Sequence, residues 1–143
     1  MILRIGVAAV FLLALHAGCR GDGGRAAVPG GERTFVFGMR GLPDAAGRFV
    51  AATSAPVVIA KLEAELALPA ASRSLHINGP IARGNGGENL SWSWHFAPDL
   101  WDAVEVSVEV CDGTPAMVES DLDTWVDELG VFCPWGSYAQ GEQ

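Results

Sequence analysis

Between Thr34 and Met39 bulky apolar residues fall on every second position. Phe35, Phe37 and Met39 share a face, which predicts a strand. Gly41 to Gly47 is rich in turn residues, and Arg48 to Thr53 reads as a second strand. The period then lengthens. Ser54 offers a helix N-cap, Pro56 suits the first turn, and Ile59, Leu62 and Leu66 form an apolar stripe to about Leu68. Pro69 ends that helix. Ser74 to Arg83 alternates again, with Leu75, Ile77 and Ile81 on one face and His76 and Asn78 on the other. Gly79-Pro80 marks a bulge or a sheet edge, because proline cannot donate to a ladder.

Asn89 to Asp112 (NLSWSWHFAPDLWDAVEVSVEVCD) reads as a β-hairpin. On its first strand Trp92, Trp94 and Phe96 share a face, and on its second Val104, Val106, Val108 and Val110 do. Both sets are expected to point into the core. The other face then carries Ser91, Ser93 and His95 on one strand and Glu105, Ser107, Glu109 and Cys111 on the other. A loop of about five residues, Pro98 to Asp102, sets His95 across from Glu105 and Ser93 across from Ser107. After Asp112, Thr114 and Pro115 open a second helix with the stripe Val118, Leu122, Trp125, Val126 and Leu129. Glu119, Asp121, Asp123 and Asp127 occupy its other side and Gly130 closes it. The apolar tail Val131 to Gly136 has to dock. The sum is a single α+β domain over residues 34–143. It is a mostly antiparallel sheet of about five strands with two helices on one face.

Charge adds a partner constraint. All nine Lys and Arg lie at or before Arg83, and twelve of the seventeen Asp and Glu follow Gly84. A half with no base cannot release counterions from nucleic acid, so no nucleic-acid partner is expected. The acidic face of the second helix has no DxDxDG loop and reads as a solvated surface rather than a calcium site.

The N-terminal 18 residues read as a signal peptide. A short positive start precedes the apolar run Ile5 to Leu15, which is too short for a stable membrane span. Leu15-His16-Ala17-Gly18-Cys19 resembles a bacterial lipobox, although His16 stands where leucine usually does. Cys19 is therefore the expected lipidation site and membrane anchor, with ordinary cleavage to a soluble secreted protein as the alternative. Residues 19–33 (CRGDGGRAAVPGGER) read as a flexible tether reaching roughly 20 Å. With Cys19 acylated, Cys111 and Cys133 remain as a pair for one disulfide. Closing a loop of about 20 residues contributes roughly 3 kcal/mol in the chain-entropy model. A metal site joining the two thiols to His95 is the weaker alternative, since no CxxC is present.

The order Asn78-Gly79, Trp92-Ser93-Trp94-His95, Pro98, Glu109-Val110-Cys111-Asp112, Pro115, Val118-Glu119 and Cys133-Pro134-Trp135 resembles one family. It is the N-terminal domain of a slime-mould calmodulin-binding protein, which also occurs as small secreted bacterial proteins. The resemblance runs from about Phe35 to Trp135. It implies a compact exported domain with no catalytic residues to carry over. Calmodulin itself is not an expected partner, because its targets are basic amphipathic helices and the second helix here is acidic.

The reading that follows is a non-catalytic envelope binding module for an unknown protein or small ligand, with no cofactor and no metal. Its candidate ligand-binding residues are Ser93, His95, Glu105, Glu109 and Asp112, with Trp101 as the tryptophan expected to be exposed in the hairpin loop. Trp135 is left open between core and surface. The alternatives are a hydrolase using His95 with Glu105 or Asp112, and a metal-binding envelope protein.

Overall fold

The computed structural model describes residues 31–143. The expected signal peptide, Cys19 and most of the expected tether lie outside the described residues. The elements run β1 (Arg33–Met39), α1 (Asp44–Gly47), β2 (Phe49–Thr53), α2 (Pro56–Leu66), β3 (His76–Arg83), β4 (Trp94–Phe96) and β5 (Asp102–Val104). Then come α3 (Pro115–Ser120), a π-helical turn (Asp123–Leu129), β6 (Val131–Phe132) and β7 (Ser137–Glu142). The class is α+β with antiparallel pairing throughout, as expected. The strands form two sheets rather than one. The first has the order β2-β1-β7, and in the second β3 pairs with β4, β5 and β6.

The core is aromatic. Phe35 and Phe37 on the middle strand β1 are fully buried, with Phe49, Trp94, Phe96 and Phe132 packed beside them. Phe49 stacks on Phe37 at 5.4 Å between ring centroids, and Trp94 meets Phe132 edge-on at 5.3 Å. Helix α2 adds Ile59 and Leu62 of the predicted stripe together with Val58, and Leu66 packs partly buried against the core.

Four local expectations are corrected. Ser54 does not cap α2. The Asp99 carboxylate, reaching across from another loop, accepts the Ser54 hydroxyl at 2.7 Å and the Thr53 hydroxyl at 3.0 Å, as well as the Ser54 N–H. These hydrogen bonds, led by the Ser54 N–H, hold the Asp99 carboxyl below its ordinary pKa. The second helix is not continuous. It breaks at Asp121, whose own carboxylate accepts the Thr124 N–H at 3.1 Å and so starts a new turn. Strand β7 carries no strong apolar alternation, yet it completes the first sheet against β1.

The fourth correction is the hairpin. β4 and β5 do not pair with each other; both pair with β3. Phe96 lies opposite Ile81 and His95 opposite Ala82, while Val104 lies opposite His76 and Asp102 opposite Asn78. The loop between β4 and β5 therefore steps along β3 instead of turning back. From Ile81 to Asn78 the step is three positions of β3, about 10 Å at strand rise. The Trp94–Phe96 face is buried as expected. The valine face is not: β5 ends at Val104, and Val106, Val108 and Val110 stand 83%, 63% and 65% exposed.

The disulfide is present. Cys111 and Cys133 are bonded with their Cα atoms 5.1 Å apart, and the Cys133 N–H donates to the Cys111 carbonyl at 2.8 Å. Both are buried, so the tail is tied to the end of the valine segment.

Candidate functional site

The residues expected to form one polar row are divided between the two ends of β3. At the Arg83 end, Ser93 donates its N–H and its hydroxyl to the Glu119 carboxylate, both at 2.8 Å. His95 is half-buried and its Nδ1 lies 2.8 Å from the Gly84 carbonyl, which makes Nδ1 the donor there. Both side chains fasten a loop to the body of the domain. The pairing of His95 with Glu105, and of Ser93 with Ser107, is thus replaced by other partners.

Trp101 is also corrected. It is only 2% exposed, its indole N–H donates to the Ala52 carbonyl at 2.8 Å, and its ring meets Phe37 edge-on. Gly79 explains the burial. A Cβ there would collide with the Trp101 backbone and Cβ, so the missing side chain is what lets Trp101 lie across β3.

At the other end of β3 a different group assembles. A concave site of about 280 Å³ is lined by Ser74, His76, Glu105, Val106, Ser107 and Trp135. His76 forms its inner wall, 4% exposed, and its Nε2 is hydrogen-bonded to the Ser107 hydroxyl. Burial pushes the imidazole below its ordinary value of 6.5, and the nearby charge of Asp112 opposes that shift in part. Asp112 Oδ1 accepts the N–H groups of Gly113 and Trp135, each at 2.9 Å, and so sets the Trp135 backbone in place. Trp135 is 45% exposed. Glu109 lies in a 3-10 turn, Glu109–Cys111, exposed and beyond the lining residues.

Of the expected ligand-binding residues, then, Glu105 lines this site and Asp112 supports it. His76, Ser74, Ser107 and Trp135 were missed as site residues. The available signal was His76 itself, a histidine on a strand whose neighbour in space depends on pairing that the hairpin reading misassigned.

A neutral imidazole facing a hydroxyl is able to take its proton. Acyl transfer also requires free N–H donors aimed at an oxyanion. The Gly113, Trp135 and Cys133 N–H groups near the disulfide are already committed to Asp112 and Cys111. Among the described residues no group of three or more His, Cys, Asp or Glu side chains is arranged to hold a metal ion.

A second cavity, about 360 Å³, lies between β2 and the loop before β4, with Asp44, Arg48, Glu88 and Asn89 among its lining. Asn89 is spent on the fold: it accepts the Val50 N–H at 3.0 Å and donates to the Trp94 carbonyl at 2.9 Å.

Fold and site together define a small disulfide-tied α+β domain with one edge of apolar loop around a polar pocket. The family model for the N-terminal domain of calmodulin-binding protein 74, a slime-mould protein, matches residues 32–143, and the chain belongs to that family. No curated protein and no solved structure matches the chain. Most of the sequence elements that carry the family resemblance are structural. Trp94 is core, Cys111 and Cys133 form the disulfide, and Asp112 positions the Trp135 backbone.

Proposed function

We propose that the protein is an exported, non-catalytic binding domain, tethered at the cell envelope by a lipid on Cys19. One observation carries the binding reading. The disulfide-held segment keeps Val106, Val108 and Val110 in water beside the half-exposed Trp135 and the His76 pocket. Apolar side chains grouped this way around a concavity are a common mark of a recognition surface. Export is supported by the apolar run before Cys19 and by the Cys111–Cys133 disulfide, which suits an oxidising compartment.

Two experiments test this. A labelled fatty acid is expected to enter the protein and to be lost with Cys19→Ser; no label on the wild type returns it to the soluble secreted class. A photo-crosslinking residue at Val108 is expected to give discrete adducts in the producing cell, and one at the exposed Ala64 of α2 none. Absence of adducts from Val108 would count against a binding face there.

A further inference from the structure

The His76 pocket has the composition of a cation site. Glu105 is its one charged lining group and is exposed to any ligand that enters. Trp135, 45% exposed among the lining residues, brings an indole, the best aromatic partner for a cation. Ser74 and Ser107 supply hydroxyl oxygens, and Val106 supplies an apolar wall for an alkyl stem.

The nearby bases are engaged elsewhere: the Arg40 guanidinium donates to the Arg73 carbonyl and lies over the Tyr138 ring. Arg73, the base nearest in sequence, has its guanidinium on the carbonyls of Leu66, Leu68 and Ala139. From Gly84 onward the chain has no Lys or Arg. Asp112, whose carboxylate holds the Trp135 N–H, also acts on His76 and adds to the negative potential of the pocket. An anion, by contrast, would face Glu105 with only hydroxyl donors to hold it. The volume, about 280 Å³, suits a single alkyl chain with its charged head rather than a drug-sized molecule.

We propose that this pocket binds an alkylammonium or alkylguanidinium group, with Glu105 as counter-charge, Trp135 as the stacking face and Val106 against the stem. The proposal rests on the reading of this face as a binding surface. The chemistry is that of a free polyamine or of a lysine or arginine side chain on a partner.

The test is titration of the purified mature protein, followed at the assigned Trp135 indole N–H by NMR. The probes are spermidine, blocked lysine and arginine amides, and 1-butanol as an uncharged stem. The cations are expected to shift the Trp135 signal and butanol not to. Glu105→Gln, and Trp135→Leu followed instead at the Ser107 backbone amide, are each expected to weaken binding roughly fivefold, whereas Glu109→Gln, outside the pocket, leaves it unchanged. Tighter binding of spermidine assigns a free polyamine, and tighter binding of the blocked amides assigns a protein side chain. Equal losses with Glu105→Gln and Glu109→Gln overturn the proposal in favour of diffuse charge attraction. No cation response from folded protein overturns it as well. Val108 crosslinks that persist in that case keep the binding face and discard only its cation.

Discussion

At one end of β3 the neighbouring stretch is sealed in, and at the other it is left in water. Trp94 and Phe96 on β4 are roofed by Phe49 and Phe132, with ring centroids 5.8–5.9 Å apart around Phe96. Val106, Val108 and Val110 follow β5 with the same alternation and meet no second layer. The two stretches differ less in hydrophobicity than in what faces them. A strand is buried when another element supplies its cover, and β5 stops where the cover stops. The valine stretch is then held by its end, through Cys111, instead of by its face.

That contrast sets the size of each substitution. Phe96→Ala is expected to cost about 3–5 kcal/mol in urea unfolding, and Val108→Ala within about 0.5 kcal/mol. A similar cost at both positions would break the comparison. Next is the staple. Replacing Cys111 and Cys133 by Ser is expected to cost roughly 3 kcal/mol and to speed proteolysis between Val104 and Cys111. Reduced wild type should match the double variant; if reduction leaves both stability and cleavage unchanged, the segment is held by other contacts. Asn89→Ala leaves the Val50 N–H and the Trp94 carbonyl unpaired at the sealed end, at about 1–3 kcal/mol for each buried group. Calorimetry checks this one, and a neutral result would mean that the loop before β4 rearranges to supply new partners.

The smallest expected effect is on pH. Burial keeps the folded His76 pKa below 6.5, so the unfolded chain takes up this proton first as the pH falls. Stability is accordingly unaffected by this group above about 6.5 and declines as the pH drops from there toward the folded value. Asp112 opposes the shift and Glu105 lines the same pocket. His76→Gln is expected to flatten the slope below about pH 6.5, measured by thermal unfolding. The carboxyls of Asp99, Asp127 and Glu142, held low by hydrogen bonds, act only in stronger acid.

The fold was legible wherever period and punctuation were local. β1, β2, α2, the Thr114 cap with Pro115 after it, and the Gly130 stop with φ 67° all follow from residues close in sequence. Cysteine parity and the family resemblance both pointed to structure that is present: the Cys111–Cys133 bond and the domain over residues 32–143. Pairing was not local. Two alternating stretches joined by five residues imply a hairpin, and nothing between Ala97 and Trp101 signals that the chain steps along β3 instead. Misplacing that one connection displaced the site. It put Glu105 beside His95 when its neighbour is His76, and it left Trp101 outside when Gly79 admits it to the core. β7 went unseen because Ser137–Glu142 has little apolar content, its place being secured by a neighbour strand far away in sequence.

The first sheet also carries a kinetic consequence. Its middle strand opens the domain, and one of its two neighbours is the strand that closes it, with Arg33 and Glu142 joined although 109 positions apart. Until that last strand has been synthesised, β1 has an open flank and the sheet lacks one side. Contacts so distant in sequence form slowly, since a long loop must close before they contribute anything. For a polypeptide exported as proposed, which has to pass a translocation pore as an extended thread, such a delay keeps the domain from locking too early.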